Sequence, residues 1–157
     1  MAICYNSNVS FKYQKRIGPR KTRGESLRTR RERKFAMTVR ECYTKIGGDY
    51  DGVLRRFLNE DRIKRFLGML LEDESMSKLR AAVMEEDYET AFRAAHTLKG
   101  VVLNLGLSHL ASDSSALTEA LRDRRAKEEI EPLFQAVECS HSEMFAAVNG
   151  LLGEMPK

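Results

Sequence analysis

Residues 88–106 read YETAFRAAHTLKGVVLNLG, and on this stretch the fold turns. On a helical wheel of about 100° per residue, Tyr88, Ala91, Ala95, Leu98, Val102 and Leu105 gather within about 100° of arc. A stripe of that width buries one side of a helix and leaves the other to water or a partner. Asp87 stands ahead of it as an N-cap, its carboxylate suited to the first unpaired amides. Gly106 stands behind it, where a left-handed residue ends a helix cheaply. No window of the chain shows the alternation and β-branched enrichment of a strand.

The helical period extends to both sides. Thr38 is a plausible N-cap for a short helix reaching Ile46, which Gly47-Gly48 ends, and Asp49 can cap a second over Tyr50–Leu58. From Asn59 or Asp61, the residues Ile63, Phe66, Leu67, Leu70 and Leu71 recur at 3–4 spacing. Asp73-Glu74-Ser75 interrupts this period, read as a bend rather than a break, and Met76, Leu79, Ala82 and Val83 resume it. Ser108 is expected to cap the next helix, with Leu110, Ser114, Leu117 and Leu121 inward and an end near Arg124. The last helix is expected from about Glu129, with Pro132 tolerated in its first turn, to Leu152 before Gly153. No proline lies between Pro19 and Pro132. One-sided stripes joined by loops of about two to six residues predict an all-α chain. Its expected architecture is an antiparallel, up-down-up-down four-helix bundle with one or two short helices in front.

A length of 157 residues fits one domain and a short appendage. The balance of 42% apolar and 32% charged residues suits a globular protein better than a membrane or wholly disordered one. Phe66–Leu71, among the longest apolar stretches, falls far short of the roughly 20 residues that span a bilayer, so no membrane insertion is expected. The opening MAICYNSNVSFKYQ shows no basic segment followed by an apolar one, so no secretory signal is read there. Cys4, Cys42 and Cys139 are three widely spaced cysteines, which excludes a disulfide framework and favours a reducing, cytoplasmic setting.

The net charge of +4 hides a division. Residues 1–36 hold eleven Lys/Arg against two acids, a net +9, and residues 37–157 hold 16 against 21, a net −5. Residues 1–36 therefore read as a basic, disordered or frayed extension and residues 37–157 as the helical domain. The extension is either inert or a non-specific anchor for nucleic acid or an anionic surface. A nucleic-acid-binding protein acting through this tail is thus the rival reading, with salt-sensitive binding in residues 12–34 and no role for His96.

His96 is the residue that the wheel sets apart. It points about 130° from the centre of the apolar stripe, with Phe92 and Gly100 one turn away at i−4 and i+4, Arg93 and Lys99 at i−3 and i+3, and Leu103 beyond. Gly100 removes a side chain beside the imidazole and lets another protein's backbone approach. An unprotonated imidazole is a good nucleophile near neutral pH, and its ring nitrogen can carry a phosphoryl group. Lys99 and Arg93 can offset the charge that arrives with that group.

His96-Thr97-Leu98-Lys99-Gly100, followed by Asn104-Leu105-Gly106-Leu107, closely resembles the signature of histidine-containing phosphotransfer (HPt) domains. The resemblance covers roughly residues 38–152, including Ile46-Gly47-Gly48-Asp49 and Ala116-Leu117-Thr118-Glu119-Ala120-Leu121. The pentapeptide looks like the bacterial, stand-alone form. The resemblance implies a helical bundle that shuttles phosphoryl groups in a two-component phosphorelay, with His96 as the phospho-accepting residue. It also implies that Lys99 helps bind the phosphoryl group or the partner's acidic pocket, that Gly100 gives access, and that Gly106 ends the helix. Arg93, Phe92 and Leu103 complete the supporting and docking set. Many members carry small residues after Gly100, whereas this chain has Val101, Val102 and Leu103; Leu103 would enlarge the docking patch.

The partners so implied are response-regulator receiver domains and hybrid sensor histidine kinases, met by a monomer with no small-molecule substrate. The receiver would supply the aspartate pocket and Mg²⁺, so the chain is expected to need no cofactor or metal of its own. The residues agree, since no Cys/His or carboxylate cluster has ligand spacing. Gly47-Gly48-Asp49-Tyr50-Asp51-Gly52 lacks the lysine and hydroxyl of a phosphate loop and reads as an interhelical turn. The expectation is a phosphoryl carrier, not an enzyme with an ATP site. His109 reads as a surface or packing residue, and His141 follows Cys139 at a spacing that shares no helix face. Cys42 and Cys139 read as buried small hydrophobes, and the methionines, Met69 and Met84 among them, as mostly core.

Overall fold

The computed structural model describes residues 37–153. These form seven helices: α1 Val39–Lys45, α2 Tyr50–Phe57, α3 Glu60–Leu71, α4 Ser75–Met84, α5 Tyr88–Asn104, α6 Ser108–Arg122 and α7 Lys127–Gly153. The described chain is all-helical, as the periodicity implied. The expectations for residues 1–36 lie outside the described residues.

Where a cap lies next to its helix in sequence, the structure follows the expectation. At α1 the Thr38 hydroxyl accepts from the Glu41 amide at 3.1 Å, and the Glu41 carboxylate accepts from the Thr38 amide at 2.7 Å, a reciprocal capping box. Asp49 accepts from the Gly52 amide at 2.9 Å and starts α2. Asn59 accepts from the Asp61 amide at 2.7 Å and starts α3. Gly47 after α1 and Gly106 after α5 take φ of +62° and +63°, the left-handed stop that a side chain resists.

Elsewhere the elements depart from expectation. The period through residues 60–84 is broken, not bent. The Asp73 carboxylate accepts from the Ser75 amide at 2.8 Å, and this local turn competes with helix continuation and separates α3 from α4. Ser108 does not cap α6. The N-cap is Leu107, with no side-chain cap bond, because Leu107 is drawn into the core at 1% exposure and its amide bonds the Val102 carbonyl at 3.0 Å. Pro132 is not in the first turn of α7. That helix starts earlier, where the Glu129 and Ile130 amides both bond the Ala126 carbonyl, which leaves Pro132 in the second turn.

In packing, α5 lies between α4 and α6, and α7 packs on α6 and also meets α3 and α1; α2 sits against α1 and α3. The shared core holds Ile63, Leu67, Leu79, Leu98, Leu117, Ile130 and Met144. Leu98, 1% exposed, contributes about 1.5–3 kcal/mol by burial. Phe66, at 40% exposure, sits at the surface although its period matched the core. Met69 and Met84 are not core: they are 57% and 77% exposed, because each falls on the outward side of its helix. Cys42 is buried as expected, but Cys139 is exposed, since it faces away from the seam in which α7 buries Val137 and Met144.

Candidate functional site

The site is built on α5, whose two ends are held differently. At its start the Asp87 carboxylate accepts from the Thr90 amide at 3.0 Å. Hydrogen bonds from Thr90, side chain before backbone, hold that carboxyl below its usual range. At its end the carbonyls that no later turn can pair are met from α1 and α2. The Tyr43 hydroxyl donates to the Leu105 carbonyl at 2.8 Å inside the core. Arg56 donates to the carbonyls of Leu103 and Asn104, placing a cation at the negative end of the helix. The Asp49 amide donates to the Gly106 carbonyl at 2.8 Å.

Between these ends the wheel is realised. Ala91, Ala95, Leu98, Val102 and Leu105 are buried, with Ala94 added to them and Tyr88 only half-buried. His96 is exposed on the other face. Its ring lies 6.0 Å from that of half-buried Phe92, tilted by 31°. Gly100, one turn on, faces open space: a Cβ built there would meet nothing within 4 Å. Leu103, two turns on, is 51% exposed. Thr97 folds back on its own helix, its hydroxyl donating to the Arg93 carbonyl at 2.9 Å.

The two cations named from the sequence are both engaged. Arg93 pairs with Glu89 one turn back on the same helix. Lys99 reaches across to α6, where its Nζ lies 3.5 Å from Oε1 of Glu119. The other oxygen of Glu119 pairs with Arg122 at 2.6 Å, and the Arg122 guanidinium sits 6.0 Å from the Phe92 ring. Sequence spacing along α5 could not reveal Glu119 or Arg122 as neighbours, nor Tyr43 and Arg56 as holders of its end. All four come from other helices.

The other histidines lie elsewhere. The His109 ring fills the space above Gly47, where a Cβ would come within 2.8 Å of it. His141 is half-buried on α7 beside Phe145, ring centroids 6.1 Å apart; burial and then Arg80 push its pKa down. Burial pushes the Cys42 thiol up, toward the unreactive protonated form. Among the described residues, no group of three His, Cys, Asp or Glu is placed to hold a metal ion, and no helix is long and apolar enough to cross a membrane.

No curated protein and no solved structure matches the chain. A family model does, that of the Hpt domain, over residues 65–151. The matched span runs from the middle of α3 nearly to the end of α7 and includes His96, Lys99, Gly100 and the Glu119–Arg122 pair. By that match, the chain belongs to the Hpt domain family.

Proposed function

We propose that His96 takes a phosphoryl group from an aspartyl phosphate on one receiver domain and passes it to the aspartate of another. Hpt domains are phosphoryl-carrier modules that work with the receiver domains and kinases of two-component phosphorelays. The observation that carries the assignment is the exposed imidazole of His96 on the outward face of α5, beside the open space at Gly100.

In the forward step the lone pair of an unprotonated ring nitrogen attacks phosphorus. The N–P bond forms, the P–O bond of the acyl phosphate breaks, and the aspartate leaves as a carboxylate with the bonding pair. The return step reverses each change. Mg²⁺ and the acidic pocket belong to the receiver, and the chain brings the nucleophile without a nucleotide or metal of its own. Phosphoryl transfer asks a protein mainly for positioning and charge neutralisation. Gly100 admits the receiver's backbone, Phe92 and Leu103 offer it apolar contact, and Lys99 and Arg93 supply positive charge.

The partners we infer are response-regulator receivers and hybrid sensor kinases, engaged by a monomer in the cytoplasm. The scaffold we infer is an up-down-up-down bundle of α4, α5, α6 and α7, supported by the packing of each on the next and by the short connections 85–87, 105–107 and 123–126.

Incubation with a receiver charged by acetyl phosphate tests the assignment. Wild type is expected to take an acid-labile, alkali-stable phosphate and His96→Gln to take none. Equal labelling of the two proteins would remove the assignment.

A further inference from the structure

We propose that Glu119 is a positioning residue that holds Lys99 in reserve beside His96 and competes with the phosphoryl group for it, so that the group is held loosely enough to be passed on. The inference rests on His96 being the phosphoryl acceptor. It goes further by giving a role to a residue on another helix that does not touch the reacting atoms.

Three observations lead to it. Lys99 is the less solvated member of its pair: its side chain is 22% exposed and that of Glu119 43%, and 22% is the lowest value for any ion-pair partner among the described residues. Screening by solvent is correspondingly weaker than for Arg93 and Glu89, both 73% exposed. Second, Glu119 divides one negative charge between two cations and does so unequally. It grips Arg122 at 2.6 Å and Lys99 at only 3.5 Å, a distance at which the hydrogen bond is weak. Third, Lys99 stands at i+3 from His96, one turn along the same face, so its flexible stem serves either Glu119 or a group on the imidazole.

A phosphoryl group carries close to two negative charges near neutral pH and three acceptor oxygens. It therefore outbids a carboxylate that is already committed to Arg122. Lys99 swings from Glu119 to the phosphoryl group when the group arrives and returns when it leaves. Arg122 keeps Glu119 in place throughout, so the carboxylate waits at a fixed position to take Lys99 back. The bound group is thereby less favoured than it would be beside an uncommitted lysine, and onward transfer is easier.

The test measures the equilibrium between a phosphorylated receiver and phosphorylated His96, with the rate of onward transfer to a second receiver. Four full-length proteins are compared: wild type, Glu119→Gln, Lys99→Met and the double variant. Glu119→Gln is expected to shift the equilibrium toward phosphohistidine about two- to fivefold, the range that an exposed ion pair commands, and to slow onward transfer by a similar factor. The shift is expected to vanish in the Lys99→Met background, where the double variant behaves as Lys99→Met alone. A purely structural role for Glu119 would not produce that dependence on Lys99. Wild-type labelling with an unmoved equilibrium in Glu119→Gln, or with the same shift in both backgrounds, would overturn this inference and leave the carrier assignment standing. Absence of label on wild type would remove the assignment and this inference together.

Discussion

Glycine inside a helix costs about 1 kcal/mol relative to alanine, and Gly100 lies in the interior of α5. Packing does not demand it there, since a Cβ would meet nothing within 4 Å. The close approach of a receiver to His96 does give it a purpose. Gly100→Ala is therefore expected to raise the unfolding free energy by about 1 kcal/mol in urea titration. Gly100→Glu is expected to keep the helical fold by circular dichroism yet slow phosphoryl acceptance on the order of tenfold or more, because a displaced partner loses alignment. Unchanged transfer in the glutamate variant would show that approach at this position is unimportant. At this scale the sequence was informative wherever a property follows from position on one helix. The exposure of His96 and the burial of Leu98 follow from 3.6 residues per turn alone. The state of Lys99 does not, because the carboxylate that holds it is twenty residues away on α6.

Helix starts divide along the same line. Thr38, Asp49, Asn59 and Asp87 each accept from an amide two or three residues on, so their capping is local chemistry and could be read from the chain. The start of α6 could not, because the burial of Leu107 and its bond to the Val102 carbonyl settle it. The end of α5 is the strongest case of a long-range decision: the Tyr43 hydroxyl travels from α1 to pair a carbonyl buried in the core. Burial pushes the phenol's pKa upward, so it stays a donor. Tyr43→Phe keeps the ring and strands the Leu105 carbonyl without water or partner. A loss of about 1–3 kcal/mol is expected, read as a lower urea midpoint at unchanged slope, with faster amide exchange over residues 101–106. If exchange there is unchanged, α5 does not need this bond to stay closed.

Over the whole molecule, the shifted groups predict a stability that falls in two steps as pH is lowered. Among the described residues, three carboxyls are held below their usual range: Glu41 by hydrogen bonds from Thr38, Glu86 by Lys127, and Asp87 by Thr90. A group with a depressed folded pKa is protonated more readily in the unfolded chain, so its contribution is complete above about 4 and is lost as pH falls through the folded value. His141 acts earlier. Burial and Arg80 on α4 lower its pKa, while Asp73 in the α3–α4 turn and Glu138 on its own helix oppose them. The unfolded chain therefore takes up this proton first, and the contribution of His141 is complete above about 6.5 and declines below it. The melting temperature should accordingly drop modestly between pH 7.5 and 5 and more steeply below 4. His141→Gln is expected to flatten the upper step and leave the lower one, whereas Asp87→Asn should shrink the lower step and leave the upper. Because the upper step arises where α7 meets α4, it should persist in His96→Gln, separating the acid response of the scaffold from the chemistry on α5. A melting temperature as steep from 7.5 to 5 in His141→Gln as in wild type would show that the proton taken up in that window goes elsewhere.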